Sequence, residues 1–171
     1  MNIITLSAFW QFSLTLYKND LVQSTLLTWQ NDVNANVNLV LLCAMLNQKK
    51  IALTQSQIMT LHKKVSDFSN QYTKPLRALR HRYKEDMDSI EGYPAIRQKL
   101  LDAELIFEQQ EQSLLLAILT QLLAEQTEHM PPEFHDNLNL YQNGLTKTKS
   151  SAIDFNIGHM VKLTDLNQYL V

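Results

Sequence analysis

A chain of 171 residues with 45% hydrophobic content is long enough to bury one core and needs neither disulfide nor metal to hold it together. A formal charge of −2 gives no global pull toward nucleic acid, and a single cysteine excludes an internal disulfide and a cysteine-cluster zinc site. Three glycines and four prolines, against abundant Leu, Gln, Glu, Lys and Ala, select helix over sheet, so the expected class is all-α in a single domain over residues 1–171.

The opening residues are apolar, but no Lys or Arg precedes the Leu6–Leu16 run and no small-residue cleavage site follows it, which predicts a retained amphipathic helix rather than a signal peptide. Ser7 is its expected cap and Lys18 its approximate end; Phe9 or Trp10, Ser13 or Leu14, and Tyr17 lie on adjoining faces, with the aromatics as core anchors. Asp20 caps a second helix to about Gln30 that buries Val22, Leu26 and Trp29, and Asn31 to Asn36 read as a turn. Asn36 caps a third helix. From Leu39 to Leu46 every residue is apolar, so this helix has no face for water and belongs at the centre. The uncharged stretch Val33–Gln48 is too short to cross a bilayer, which predicts no membrane partner and a cytoplasmic protein.

A Thr54-x-x-Gln57 capping box opens a long helical hairpin, Thr54 to Gln126, turned at Glu91-Gly92-Tyr93-Pro94. Ile58, Leu61, Val65, Phe68, Tyr72, Leu76, Leu79 and Tyr83 step by threes and fours, and Ile96, Leu100, Ala103 and Phe107 do so on the return arm. This pattern predicts an antiparallel pair with these stripes inward. Pro75 interrupts the first arm while Tyr72 and Leu76 keep the phase across it, so a kink near Gln71 is expected, with a true boundary there as the alternative. Leu114 to Leu123, apolar on nearly all sides, needs cover from the first three helices. The core is thus placed at 6–126. Beyond Glu128, short helices are expected over 130–171: one starting at Pro131-Pro132 and ended by Gly144, a polar linker from Thr146 to Ser151, and a docked tail carrying Phe155, Ile157, Met160, Val161, Leu163, Leu166 and Leu170.

Two groups of residues bear on chemistry. The first is a charge ladder: with the arms paired about Gly92, Arg80 meets Glu104, Arg77 meets Glu108 and Lys74 meets Glu111. Its plain reading is a row of partly exposed ion pairs that fix register, each worth about 0 to 1 kcal/mol. Its sharper reading, carboxylates holding a metal inside a bundle, lacks any Glu-x-x-His motif, and no metal or other cofactor is expected. The second is a polar and aromatic set, Trp10, Ser13, Tyr17, Gln30 and Asn38, which a compact bundle brings together either as mutually bonded core or as the lining of a pocket. Asn38 alone reads as a structural hydrogen-bonding residue, with a ligand contact as the alternative. Cys43 lies in the most apolar helix and is expected to be inert. No glycine-rich phosphate loop, nucleophile elbow or His-Glu-x-x-His occurs, so no catalytic residue is assigned.

The run Phe9-Trp10-x-x-Ser13-Leu14-x-x-Tyr17, then Gln30, then Val37-Asn38-Leu39 leading to Cys43, resembles a proteobacterial family of uncharacterised proteins of similar length. Leu76-x-x-Leu79-Arg80 and Ala103-Glu104-Leu105 are similar too. The resemblance implies a bacterial cytoplasmic protein and carries no activity. It also implies Asp before the Val-Asn pair, where this chain has Asn36. The residues then favour a non-enzymatic helical protein that binds another protein, with a small-molecule site or enzyme near the N-terminal cluster as the alternative.

Overall fold

The computed structural model describes residues 4–85, 90–126, 135–150 and 162–170, and among these the chain is all helix with no strand. In chain order come α1 (Leu6–Tyr17), α2 (Asp20–Val33), α3 (Val37–Gln48), α4 (Gln55–Phe68), a π-helical turn (Ser69–Thr73), α5 (Lys74–Glu85), α6 (Tyr93–Gln126), α7 (Asn137–Ser150) and a closing 3-10 helix (Leu163–Tyr169). No helix of the described residues is long and apolar enough to cross a membrane.

Local chemistry places the first boundaries. Thr5, not Ser7, caps α1, its hydroxyl accepting from the Ala8 N–H at 3.2 Å. Asn19 rather than Asp20 caps α2, and that helix runs past Gln30 to Val33. There Asn34 takes a left-handed φ of 58°, which asparagine tolerates better than most residues, and ends it. Asn36 caps α3 through the Leu39 N–H. Every residue from Leu39 to Leu46 is buried, and α3 packs against α1, α2, α4, α6 and α7, so this helix is the axis of the fold. Thr54 and Gln57 close the capping box at the start of α4.

The hairpin departs from its sequence pattern. Pro75 has no N–H to donate, and the helix absorbs it by widening into the π turn, where the Lys74 N–H reaches the Ser69 carbonyl. The extra residue rotates the helix beyond it. Ile58, Leu61 and Val65 are buried as the stripe requires, but Ser69 and Thr73 then take the inner face in place of Phe68 and Tyr72, and α5 buries none of its residues. Phe68 and Tyr72 pack instead on Phe107 of α6, with ring centroids 6.2 and 5.8 Å apart, and Tyr83 stacks on Tyr93 at 5.2 Å. Read backwards along α5 these contacts advance along α6, so the two helices run antiparallel from Gly92, whose φ is +75°. On α6 the inward positions are Glu104, Glu111, Gln112, Leu115 and Leu119, whereas Ile96 is 44% exposed.

The C-terminal part docks on α3 and α4. Gly144 does not end a helix: it lies inside α7, where a Cβ would press on the side-chain ends of Met59 and Gln55 of α4 and require them to shift. Thr146 to Ser150, read as linker, continue that helix. Asp136 caps α7 through the Leu138 and Asn139 N–H groups and accepts from Asn47 and Asn167, while Asn137 bonds Asn47, the Ile51 carbonyl and the Leu53 N–H. Leu163 and Leu166 of the 3-10 helix are buried. Pro131-Pro132, Ser151, Phe155, Ile157, Met160 and Val161 lie outside the described residues.

Candidate functional site

The polar and aromatic set and the charge ladder, read separately from the sequence, line one cleft. It holds about 990 Å³ between α1, α2, α3, α5 and α6. Trp10, Ser13 and Tyr17 come from α1, Gln30 from α2, Asn38 from α3, the cations Lys74, Arg77 and Arg80 from α5, and Glu104, Glu108, Glu111 and Gln112 from α6.

At one end the Arg77 guanidinium is the hub. Its Nε donates to Glu104 at 2.6 Å, one terminal nitrogen to Glu108 at 2.7 Å and the other to Gln30 at 2.9 Å, while Arg80 takes the second Glu104 oxygen at 2.6 Å. Two of the three pairs matched by register are therefore made, Arg80 with Glu104 and Arg77 with Glu108. The third is not. Lys74 donates to Asn34 at 2.6 Å and to Asn70 at 2.8 Å, and Glu111 is taken by asparagines. Nor is the ladder a solvated surface feature, because the Glu104 side chain is 4% exposed.

At the other end lies a chain of amides. Glu111 Oε2 accepts from Asn36 Nδ2 and Asn38 Nδ2, each at 2.9 Å. A carboxylate only accepts, so Asn38 must turn its nitrogen to Glu111 and its oxygen to Gln112, whose Nε2 donates to it at 2.9 Å. The same Nε2 donates to Ser13 Oγ at 3.0 Å, and the Ser13 hydroxyl in turn donates to the Phe9 carbonyl. One acid thus orients the whole chain. Behind it, Tyr141 of α7 accepts from the Asn36 N–H at 3.0 Å and meets His62 Nδ1 at 2.7 Å. Ser13, Gln30 and Asn38 therefore do not bond one another directly: Gln112 joins Ser13 to Asn38, whereas Gln30 belongs to the Arg77 hub. No signal in the sequence marked Asn36, Gln112 or Tyr141 for this network: a cap, a glutamine beside a glutamate and a lone tyrosine are common in helical proteins.

Two acceptors of the cleft remain unmet, as do the Thr25, Thr73 and Tyr83 hydroxyls elsewhere among the described residues. Glu111 is 2% exposed and Gln112 fully buried, yet Glu111 Oε1 and Gln112 Oε1 have no hydrogen-bond partner. The titratable groups around them are drawn toward neutrality. Burial lowers the Lys74 ammonium pKa, with Glu111 opposing the shift, and burial raises the Glu108 carboxyl despite Arg77 beside it. Burial also raises Tyr17, helped by Glu108. Glu104 goes the other way: burial pushes it up, but the Arg80 and Arg77 hydrogen bonds hold it below the usual range. Cys43, deep in α3, is fully buried, and its thiol pKa is pushed up by burial. Among the described residues no three His, Cys, Asp or Glu gather in a way that would hold a metal ion.

No match is found among the curated proteins or the solved structures. A family model does match, over residues 8–115, and the chain belongs to that family, described as Protein of unknown function (DUF2390).

Proposed function

We propose that this protein binds a small molecule in the cleft between α1, α2, α3, α5 and α6. The observation that carries the reading is the convergence of two polar sets on one 990 Å³ cleft whose floor retains buried acceptors without partners. Each unmet acceptor there costs about 1 to 3 kcal/mol, which a ligand with matching donors would offset. Perturbed acids and bases gathered in one cleft support the same reading. The family match adds to it: residues 8–115 contain every residue that lines the cleft and leave out α7 and the 3-10 helix.

A second reading, a partner protein docking without chemistry, rests on the mouth of the same cleft, where Leu14, Leu27 and Leu105 are 42%, 39% and 38% exposed. A bacterial, cytoplasmic setting belongs to the proposal, and a single buried thiol suits a reducing compartment.

Native mass spectrometry of gently purified protein tests the proposal, alongside a Leu105→Trp variant that fills the mouth. The reading expects a small-molecule adduct that the variant lacks. An adduct-free protein that captures a partner chain through Leu14, Leu27 and Leu105 would replace it with the docking reading.

A further inference from the structure

From the unmet hydrogen-bonding capacity of the cleft we infer that its ligand carries a protonated amine, held at Glu111 Oε1 and Gln112 Oε1. This assignment rests on the small-molecule reading above and names the chemistry that the cleft selects. The cations of the site are already engaged: Arg77 with Glu104, Glu108 and Gln30, Arg80 with Glu104, and Lys74 with Asn34 and Asn70. An anionic ligand would have to displace these pairs. Glu111, like Lys74, bonds only neutral amides, but both of its partners bond the same oxygen and leave the other without one. Its other oxygen and the neighbouring Gln112 oxygen are acceptors only, because the amide chain from Glu111 to Ser13 fixes which end of Gln112 is the nitrogen. Two unpartnered acceptors on consecutive residues, one of them a carboxylate, are matched by a group with several N–H donors and a positive charge. Trp10 and Tyr17 on the walls suit the same group, whose charge is favoured over an aromatic face and whose carbon body they can cover.

The test uses three probes of one shape, benzylamine, benzyl alcohol and benzoate, with affinities read by titration against the full chain at neutral pH. Benzylamine should bind at least about tenfold more tightly than the other two, the margin expected of a charge-assisted bond over a neutral one. A Glu111→Gln variant sharpens the test. Its carbonyl oxygen can still accept from Asn36 and Asn38, while an NH₂ replaces the unpartnered oxygen, so the preference should move from benzylamine to benzoate. Equal affinities, or tighter binding of benzoate by the unsubstituted protein, would overturn the amine assignment and leave the small-molecule reading in place. Binding by none of the three overturns the amine assignment, and the adduct measurement then decides the wider reading. The ranking on the unsubstituted chain is decisive even where the variant fails to fold.

Discussion

Asn38 Nδ2 and Glu111 Oε2 meet at 2.9 Å across the floor of the cleft, joining the start of the central helix to the middle of the longest one. Asn38 satisfies an acid on one side and an amide donor on the other.

Replacing it should therefore cost more than one hydrogen bond. Asn38→Leu removes a donor from Glu111 and an acceptor from Gln112, both buried, and is expected to destabilise the fold by about 3 kcal/mol in urea unfolding. A loss under about 1 kcal/mol would mean that Asn38 does not hold the amide chain together.

Arg77 and Arg80 should not be equivalent. Arg77→Ala strips Glu108 and Gln30 of a partner and leaves Glu104 one, whereas Arg80→Ala leaves Glu104 still bonded to Arg77. We expect a loss of about 2 to 3 kcal/mol for the first and about 1 kcal/mol for the second, because removing half of a mostly buried pair exceeds the cost of an exposed one. Equal losses in parallel denaturation curves would contradict the hub geometry.

Gly144→Ala should lose most of the roughly 1 kcal/mol that alanine ordinarily adds inside a helix, since its methyl group enters the space of Met59 Sδ and Gln55 Nε2. Met59→Ala in the same chain should recover part of the loss. Without that recovery, the closeness of α7 to α4 is not the cause.

His62 supplies a pH dependence with a definite sign. Burial holds its pKa below 6.5, with Lys74 adding to the effect, so the unfolded chain takes up a proton there that the folded chain refuses. The stability this gives is present above about pH 6.5 and is lost as pH falls toward the folded value. His62→Gln should flatten that slope in the window below about pH 6.5 when melting temperatures of the two proteins are subtracted. An unchanged difference across that window would place the imidazole in water.

The class, the buried run of α3, the Asn36 cap and the Thr54–Gln57 box were legible because each rests on local chemistry: composition, an unbroken apolar stretch, a side-chain cap within one turn. The inner face of the hairpin was not. Tyr72 and Leu76 keep the phase of an ideal α-helix across Pro75, and nothing in that spacing announces that one extra residue in a π turn will turn Ser69 and Thr73 inward instead. Register alone matched Arg80 with Glu104 and Arg77 with Glu108, but it failed at Lys74, because Glu111 is claimed by Asn36 and Asn38 from a helix far away in sequence. Gly144 misled for a related reason: a glycine that ends a helix and a glycine packed against a neighbouring helix look the same in a sequence.

Binding of a small molecule in the cleft can be watched at the site itself, by following the side-chain N–H signals of Trp10, Gln30, Asn36, Asn38 and Gln112 by nuclear magnetic resonance during titration with whichever compound forms the native adduct. A ligand seated there should shift these signals together to saturation, while the Asn47, Asn137 and Asn167 amides beneath α7 stay in place. Saturable shifts confined to the α7 side, with the cleft amides unmoved, would contradict binding in the cleft.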